Sequence, residues 1–230
     1  MTNADFRALN VAGLNLQAVF NLDALPGEIL GELRRHYHPA HRYRQLILIG
    51  HAGKTLWNAV KASGIGSENP IDDFSVKTVE QWFASHFPSH AHEVIYPGDI
   101  PVGLQALGKI AGWHHASPLM LGIQQKWGTW YAYRVAMLTD TNLLPSNPSP
   151  SESPCNRCAQ KICIASCPGA ALAGGTLALD KCISYRKAPS SRCQATCLAR
   201  VSCPVGSDHR YDEDQLRHTY SISLKAITRR

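Results

Sequence analysis

No cysteine occurs anywhere before Cys155, and all eight cysteines of the 230-residue chain fall between Cys155 and Cys203. That gap excludes thiol chemistry and disulfide scaffolding from the first two thirds of the chain. The N-terminus, Met1-Thr2-Asn3-Ala4-Asp5, lacks both a charged start and an apolar run, so no secretory signal is read there. No apolar run reaches the ~18 residues that a membrane span needs. Eight cysteines without a secretory signal point to a reducing, cytoplasmic setting and to metal binding, not to disulfides. Gly50-His51-Ala52-Gly53-Lys54-Thr55 lacks the first glycine of a phosphate loop, because Leu48 stands in its place. The segment therefore reads as a strand-to-helix turn.

What is there begins with spacing. Cys155-x2-Cys158-x4-Cys163-x3-Cys167-Pro168 is close to the bacterial ferredoxin run, in which three thiolates hold one cluster and the fourth reaches to another. Cys182, Cys193, Cys197 and Cys203-Pro204 complete a second half. A four-iron cluster has four corners. A tight loop covers three of them, and the last needs a ligand from elsewhere. By that crossover Cys155, Cys158, Cys163 and Cys203 are assigned to one [4Fe–4S] cluster, and Cys167, Cys182, Cys193 and Cys197 to a second. Zinc ribbons are the alternative, but the uneven pair separations and the two Cys-Pro endings do not suit them. Lys161-Ile162 lengthens the first run by two residues. Two clusters at about −2 each would bring the formal charge of +6 to roughly +2, so the basic balance is weak evidence for nucleic acid.

Before the cysteines the patterning predicts an α+β domain. Helices are expected over 4–12, 26–36, 54–63, 70–87 and 101–112, and strands over 14–22, 45–50 and 92–96. Residues 119–124 and 129–138 read as a strand pair joined as a hairpin through Gln125–Gly128. The boundaries drawn are 1–144 for this domain, 145–154 for a Pro/Ser linker, and 155–230 for a loop-rich two-cluster module ending in a helix over 212–226 capped by Asp212. A cysteine-rich stretch of about fifty residues buries little apolar surface by itself, so its metal must supply the core.

Leu179-Asp180-Lys181-Cys182-Ile183-Ser184-Tyr185 resembles the cluster-domain signature of epoxyqueuosine reductases. Gly128-Thr129-Trp130-Tyr131-Ala132-Tyr133-Arg134 and Asn69-Pro70-Ile71-Asp72-Asp73 are similar to segments of CblC-type cobalamin proteins, and Lys109-Ile110-Ala111-Gly112 is similar to the reductase. The resemblance implies a nitroreductase-like antiparallel sheet-and-helix domain that holds cobalamin, followed by a bis-[4Fe–4S] ferredoxin-like domain. It implies a reductase passing single electrons through both clusters to a corrin cobalt, with the Cys167, Cys182, Cys193, Cys197 cluster nearer the corrin. The reaction would be removal of cobalamin's upper ligand or reduction of a small-molecule substrate. The electron donor would be of ferredoxin or flavodoxin type, or a reductase.

Ser184, Arg134, His115 and Ser117 are the expected cobalamin contacts under that resemblance. A polar turn competes for His115 and Ser117, and a salt bridge for Arg134. The family's proton-donor aspartate falls on Gly98, leaving adjacent Asp99 as the candidate acid. The family's tRNA-holding helical-repeat extension is not found after the clusters, so tRNA is a weaker expectation than a small substrate. The histidine groups His36, His38, His41 and His86, His90, His92 read as surface or interface residues. The competing functional classes are a ferredoxin-type electron-transfer or cobalamin-trafficking protein without substrate chemistry, and a flavin reductase, for which no fingerprint is present.

Overall fold

The computed structural model describes residues 2–37, 42–99, 101–148 and 151–229. His38, Pro39, His41 and linker positions 149–150 lie outside the described residues. The chain forms two compact units, 1–112 with 131–149, and 113–130 with 150–230.

The first unit is mixed α/β. Its elements are α1 (Arg7–Val11), β1 (Leu16–Asn21), α2 (Gly27–His36), β2 (Gln45–Ala52), α3 (Thr55–Ser63), α4 (Pro70–His86), β3 (His92–Tyr96), α5 (Leu104–Ile110) and β4 (Tyr131–Thr139). The strands make an antiparallel sheet in the order β1-β2-β4-β3. All eight residues of β2 are buried, which explains its apolar run where an alternating pattern would mark a half-exposed strand. Pro70 opens α4, where a missing N–H costs nothing, and Gly64 closes α3 in the left-handed region. Helix α4 buries Val79, Trp82 and Phe83 against Ile47 and Met137 of the sheet. Each such side chain contributes about 1.5–3 kcal/mol. Trp82 also donates its indole N–H to the Asp5 carbonyl at 2.8 Å, fixing the N-terminal segment.

At Gly13, φ is +85°, and a Cβ there would stand 2.2 Å from the Leu56 backbone nitrogen. Only glycine lets the α1–β1 turn pass so close to α3. The start of the Pro/Ser stretch is laid along β1. The Ser146 N–H donates to the Val19 carbonyl at 2.9 Å, and the Ser146 hydroxyl accepts from the Val19 N–H at 3.0 Å.

One expected strand is absent. Residues 119–124 make only isolated bridges, His115 with Ile123 and Gln124 with Gly128, and do not pair with β4. Both edges of β4 are already occupied, by β2 and β3. Met120 takes φ +56°, which breaks an extended run, and Leu119 packs into the second unit's apolar cluster with Leu172 and Ala199.

The second unit is loop-rich, with short helices α6 (Ile162–Ala165), α7 (Leu179–Lys187) and α8 (Leu198–Val201) and a longer α9 (Glu213–Thr228). Asp212 occupies the N-cap position of α9 without a side-chain capping bond. Among the described residues no helix is long and apolar enough to cross a membrane.

Candidate metal centre

Turns and very short helices position the cysteines. Cys155 sits in a 3-10 turn, Pro154–Asn156, whose Ser153 hydroxyl accepts the Cys155 N–H at 3.3 Å. Lys161 takes the left-handed region at φ +41° and starts α6, which carries Cys163. The two added residues of the first run thus supply a reversal and a helix start. Cys182 lies on α7, and the Cys193 N–H is held by the Ser191 hydroxyl at 3.1 Å. Cys197 precedes α8, and Cys203 follows its end, with its N–H donating to the Arg200 carbonyl at 3.2 Å.

These local choices place four of the thiols around one cavity, and electrostatic interaction links the other four. Cys155, Cys158, Cys163 and Cys203 line one cavity of about 170 Å³, closed on its apolar side by residues such as Pro118, Ile123 and Val205. Burial pushes the Cys155 and Cys163 thiols up, and nearby Cys203 adds to the rise in both. In the other four, burial pushes Cys182 up and Cys197 is its next neighbour, with Cys167 and Cys193 contributing further. Cys197 is pushed up chiefly by burial, and by Cys193 and Cys167 among the thiols. For Cys155, Cys163, Cys182 and Cys197 the rise favours the neutral thiol, and a bound cation reverses that preference by claiming the thiolate. All eight cysteines are free of disulfides. Among the described residues no three His, Cys, Asp or Glu side chains converge closely enough to share a single ion.

Two features of this unit escape motif reading. The first is a pair of buried arginines beside the second four. Arg186, 8% exposed, donates to the Cys193 carbonyl at 3.1 Å, the Ser223 hydroxyl at 2.9 Å and the Tyr220 carbonyl at 3.0 Å. Arg200, 7% exposed, donates to the Thr129 carbonyl and hydroxyl and lies over the Trp130 ring at 4.3 Å and the Tyr211 ring at 5.1 Å. The available signal was an arginine one helical turn after Cys182 and another three residues after Cys197. The second feature is a backbone crossing. Gly128 (φ +58°) and Gly206 (φ +67°) meet so closely that a Cβ on Gly206 would lie 2.4 Å from the Gly128 nitrogen. Trp127 packs on His209 at 4.3 Å beside it. Two glycines this far apart in sequence give no local pattern.

The remaining candidates are dispersed. Within the first unit, Arg134 pairs with Asp72 at 3.1 Å and donates to His51 Nδ1 at 3.0 Å. Asp99 is exposed in a bend after Pro97. His86 bonds the Trp82 carbonyl, His90 bonds Asp140, and the His92 ring packs on Phe83. Within the second unit, His115 Nε2 bonds the Ser151 hydroxyl at 3.0 Å. The Ser117 hydroxyl donates to the Leu121 carbonyl and accepts from the Leu119 N–H. Ser184 is exposed on α7.

No protein-family model matches the chain. No curated protein matches it. Solved structures do. An epoxyqueuosine reductase from Streptococcus thermophilus aligns with TM-score 0.51 at 12% identity, over 88% of this chain and 66% of that one. The Bacillus subtilis enzyme, captured with its catalytic aspartate loop swung out of the active site, aligns with TM-score 0.52 at 12% identity, over 90% and 66%. An epoxyqueuosine reductase bound to an epoxyqueuosine-modified tRNA stem loop aligns with TM-score 0.56 at 12% identity, over 92% and 66%. The chain spans about 66% of the length of these neighbours. At such identity the likeness is one of fold, and in fold the chain resembles the epoxyqueuosine reductases.

Proposed function

We propose that this chain is an iron–sulfur redox protein of reductase type, and that its eight cysteines hold two [4Fe–4S] clusters. The observation that carries the reading is that Cys203 returns to the first run and lines one cavity with Cys155, Cys158 and Cys163; the spacing of Cys167, Cys182, Cys193 and Cys197 supports a second set. The donor set fits. Every candidate ligand is a thiol, and the cavity around the first four is otherwise largely apolar. The uneven cysteine spacing and the two Cys-Pro endings suit a cubane better than a zinc ribbon.

When bound, such clusters accept and return single electrons. The chain's own residues do the rest. Pro168 and Pro204 follow Cys167 and Cys203 and turn the backbone away from each set. Leu119, Leu172 and Ala199 pack against Cys163, Cys167 and Cys197, keeping water from that side. The Ser153 and Ser191 hydroxyls hold the Cys155 and Cys193 backbones in place. The first unit follows the reductase neighbours in fold, and its nitroreductase-like, CblC-type character is part of this proposal. Under this reading the electron source is a reduced ferredoxin- or flavodoxin-class protein, or a reductase.

Cobalamin as the electron acceptor belongs to the proposal on the strength of the sequence motifs. The side chains assigned to it offer no built cradle. Arg134 is engaged by Asp72 and His51, and Ser117 by its own turn. His115 is engaged by Ser151, and Ser184 alone of the four is exposed.

The test is anaerobic purification with iron, sulfide and zinc analysis. About eight irons per chain is the expected result, and fewer than two with stoichiometric zinc overturns the reading. Added cobalamin should move to its base-off spectrum if the corrin part holds, and an unchanged spectrum removes that part alone. An epoxyqueuosine-bearing tRNA stem loop is the first outside substrate to assay with the loaded protein.

A further inference from the structure

Buried cations need anions. A guanidinium shut away from water is unfavourable unless a negative group accompanies it. Arg186 and Arg200 are both more than nine-tenths buried. Among the described residues their partners are backbone carbonyls, hydroxyls and aromatic rings, and neither forms an ion pair with a carboxylate. Among the described residues, the half-buried Arg134 of the first unit does have a carboxylate partner, Asp72.

Both guanidiniums adjoin the same cysteine set. Arg186 follows Cys182 by one turn of α7 and grips the Cys193 carbonyl. Arg200 lies in α8, directly after Cys197. Among the described residues, the cation acting on the first set is Lys161, which is exposed to solvent. Four thiolates holding a [4Fe–4S] core carry a net charge of about −2, which falls to about −3 on one-electron reduction.

Resting on the two-cluster reading above, we infer that Arg186 and Arg200 are the counter-charge of the Cys167, Cys182, Cys193, Cys197 cluster and act as positioning residues that raise its reduction potential. The physical reason is that a fixed positive charge stabilises the more negative, reduced state more than the oxidised one. Burial strengthens the effect, since little water screens it. The electron itself comes from an external one-electron donor, and the donor is oxidised by one electron as the cluster is reduced by one. Arg186 also ties α7 to α9 through the Tyr220 carbonyl and Ser223 hydroxyl, so the positive charge is held at a fixed place.

The test is an anaerobic redox titration of the loaded full chain with dithionite, followed by EPR. The two clusters are told apart with Cys163→Ala and Cys193→Ala. Arg186→Gln and Arg200→Gln should each shift the second-set equilibrium toward the oxidised form at least tenfold, about 59 mV for one electron, and leave the first set unmoved. Arg186→Lys and Arg200→Lys keep the charge and should recover most of the shift. Equal movement of both clusters, no movement, or Lys variants matching the Gln variants overturns the inference. Should a Gln variant fail to fold, the wild-type protein still decides. A buried counter-charge makes the second-set potential insensitive to ionic strength, and a salt-dependent potential there overturns the inference as well. Absence of about eight irons in the wild type would instead count against the two-cluster reading itself.

Discussion

The crossing of Gly128 and Gly206 allows a single-methyl test of how Cys203 reaches the first cysteine run. Gly206 stands three residues after Cys203, at the start of the 3-10 turn Ser207–His209. Gly206→Ala places a Cβ 2.4 Å from the Gly128 nitrogen and 2.4 Å from the Trp127 carbonyl carbon. These are backbone atoms and cannot swing aside as a side-chain end would. The left-handed φ of +67° adds about 1–2 kcal/mol for any residue with a Cβ, and forced overpacking adds about 1–3 kcal/mol. A loss of about 2–5 kcal/mol is a large part of the 5–15 kcal/mol typical of a whole domain. The chain can relieve it only by parting the two loops, and that carries Cys203 away from Cys155 and Cys163. The variant should therefore retain about four irons where the wild type holds about eight, the second four being kept. Iron and sulfide analysis reads this, with thermal unfolding beside it. Gly174→Ala is the control, because a Cβ there meets nothing within 4 Å. If Gly206→Ala keeps the wild-type iron content and melting temperature, the crossing does not position Cys203.

Gly13→Ala carries the same double penalty in the first unit, φ +85° and a Cβ 2.2 Å from the Leu56 nitrogen, and should lower denaturant stability by about 2–5 kcal/mol; a loss below 0.5 kcal/mol would show that the α1–β1 turn adapts freely. Arg134→Met should lower stability by about 1.5–3 kcal/mol, with a double-mutant cycle against Asp72→Asn showing coupling; additive losses would mean the 3.1 Å pair contributes nothing. Arg7, hydrogen-bonded to the Asp5 side chain, holds that carboxyl down at about 2 against its ordinary 3.8. The ionised form favours the fold, so this contribution is present above pH 3.8 and fades as the pH falls through about 2. NMR titration should find that midpoint, and Arg7→Ala should return it toward 3.8; no movement would assign the shift elsewhere.

Signals that run along the chain were legible, and those that require distant segments to meet were not. The apolar run at 45–50 and the helical stripe Val79, Trp82, Phe83 are local periodicities, and β2 and α4 formed where they fall. The 119–124 stretch has an equally apolar look, yet its fate was decided by β2 and β3, which occupy both edges of β4. No window that stops at residue 130 contains that information. The same division runs through the metal centre. Cysteine spacing marks a dense set of candidate ligands because the loops between them are short. Arg186 and Arg200 are visible in sequence only as charges among other charges. Their burial follows from contacts with Tyr220 and Ser223 on one side, and with Thr129, Trp130 and Tyr211 on the other. A charged residue near a metal-ligand cysteine becomes informative only once its solvent exposure and its partners are known. Cysteine spacing names candidate ligands, while the buried arginines proposed to tune them are held by segments that meet only in the fold.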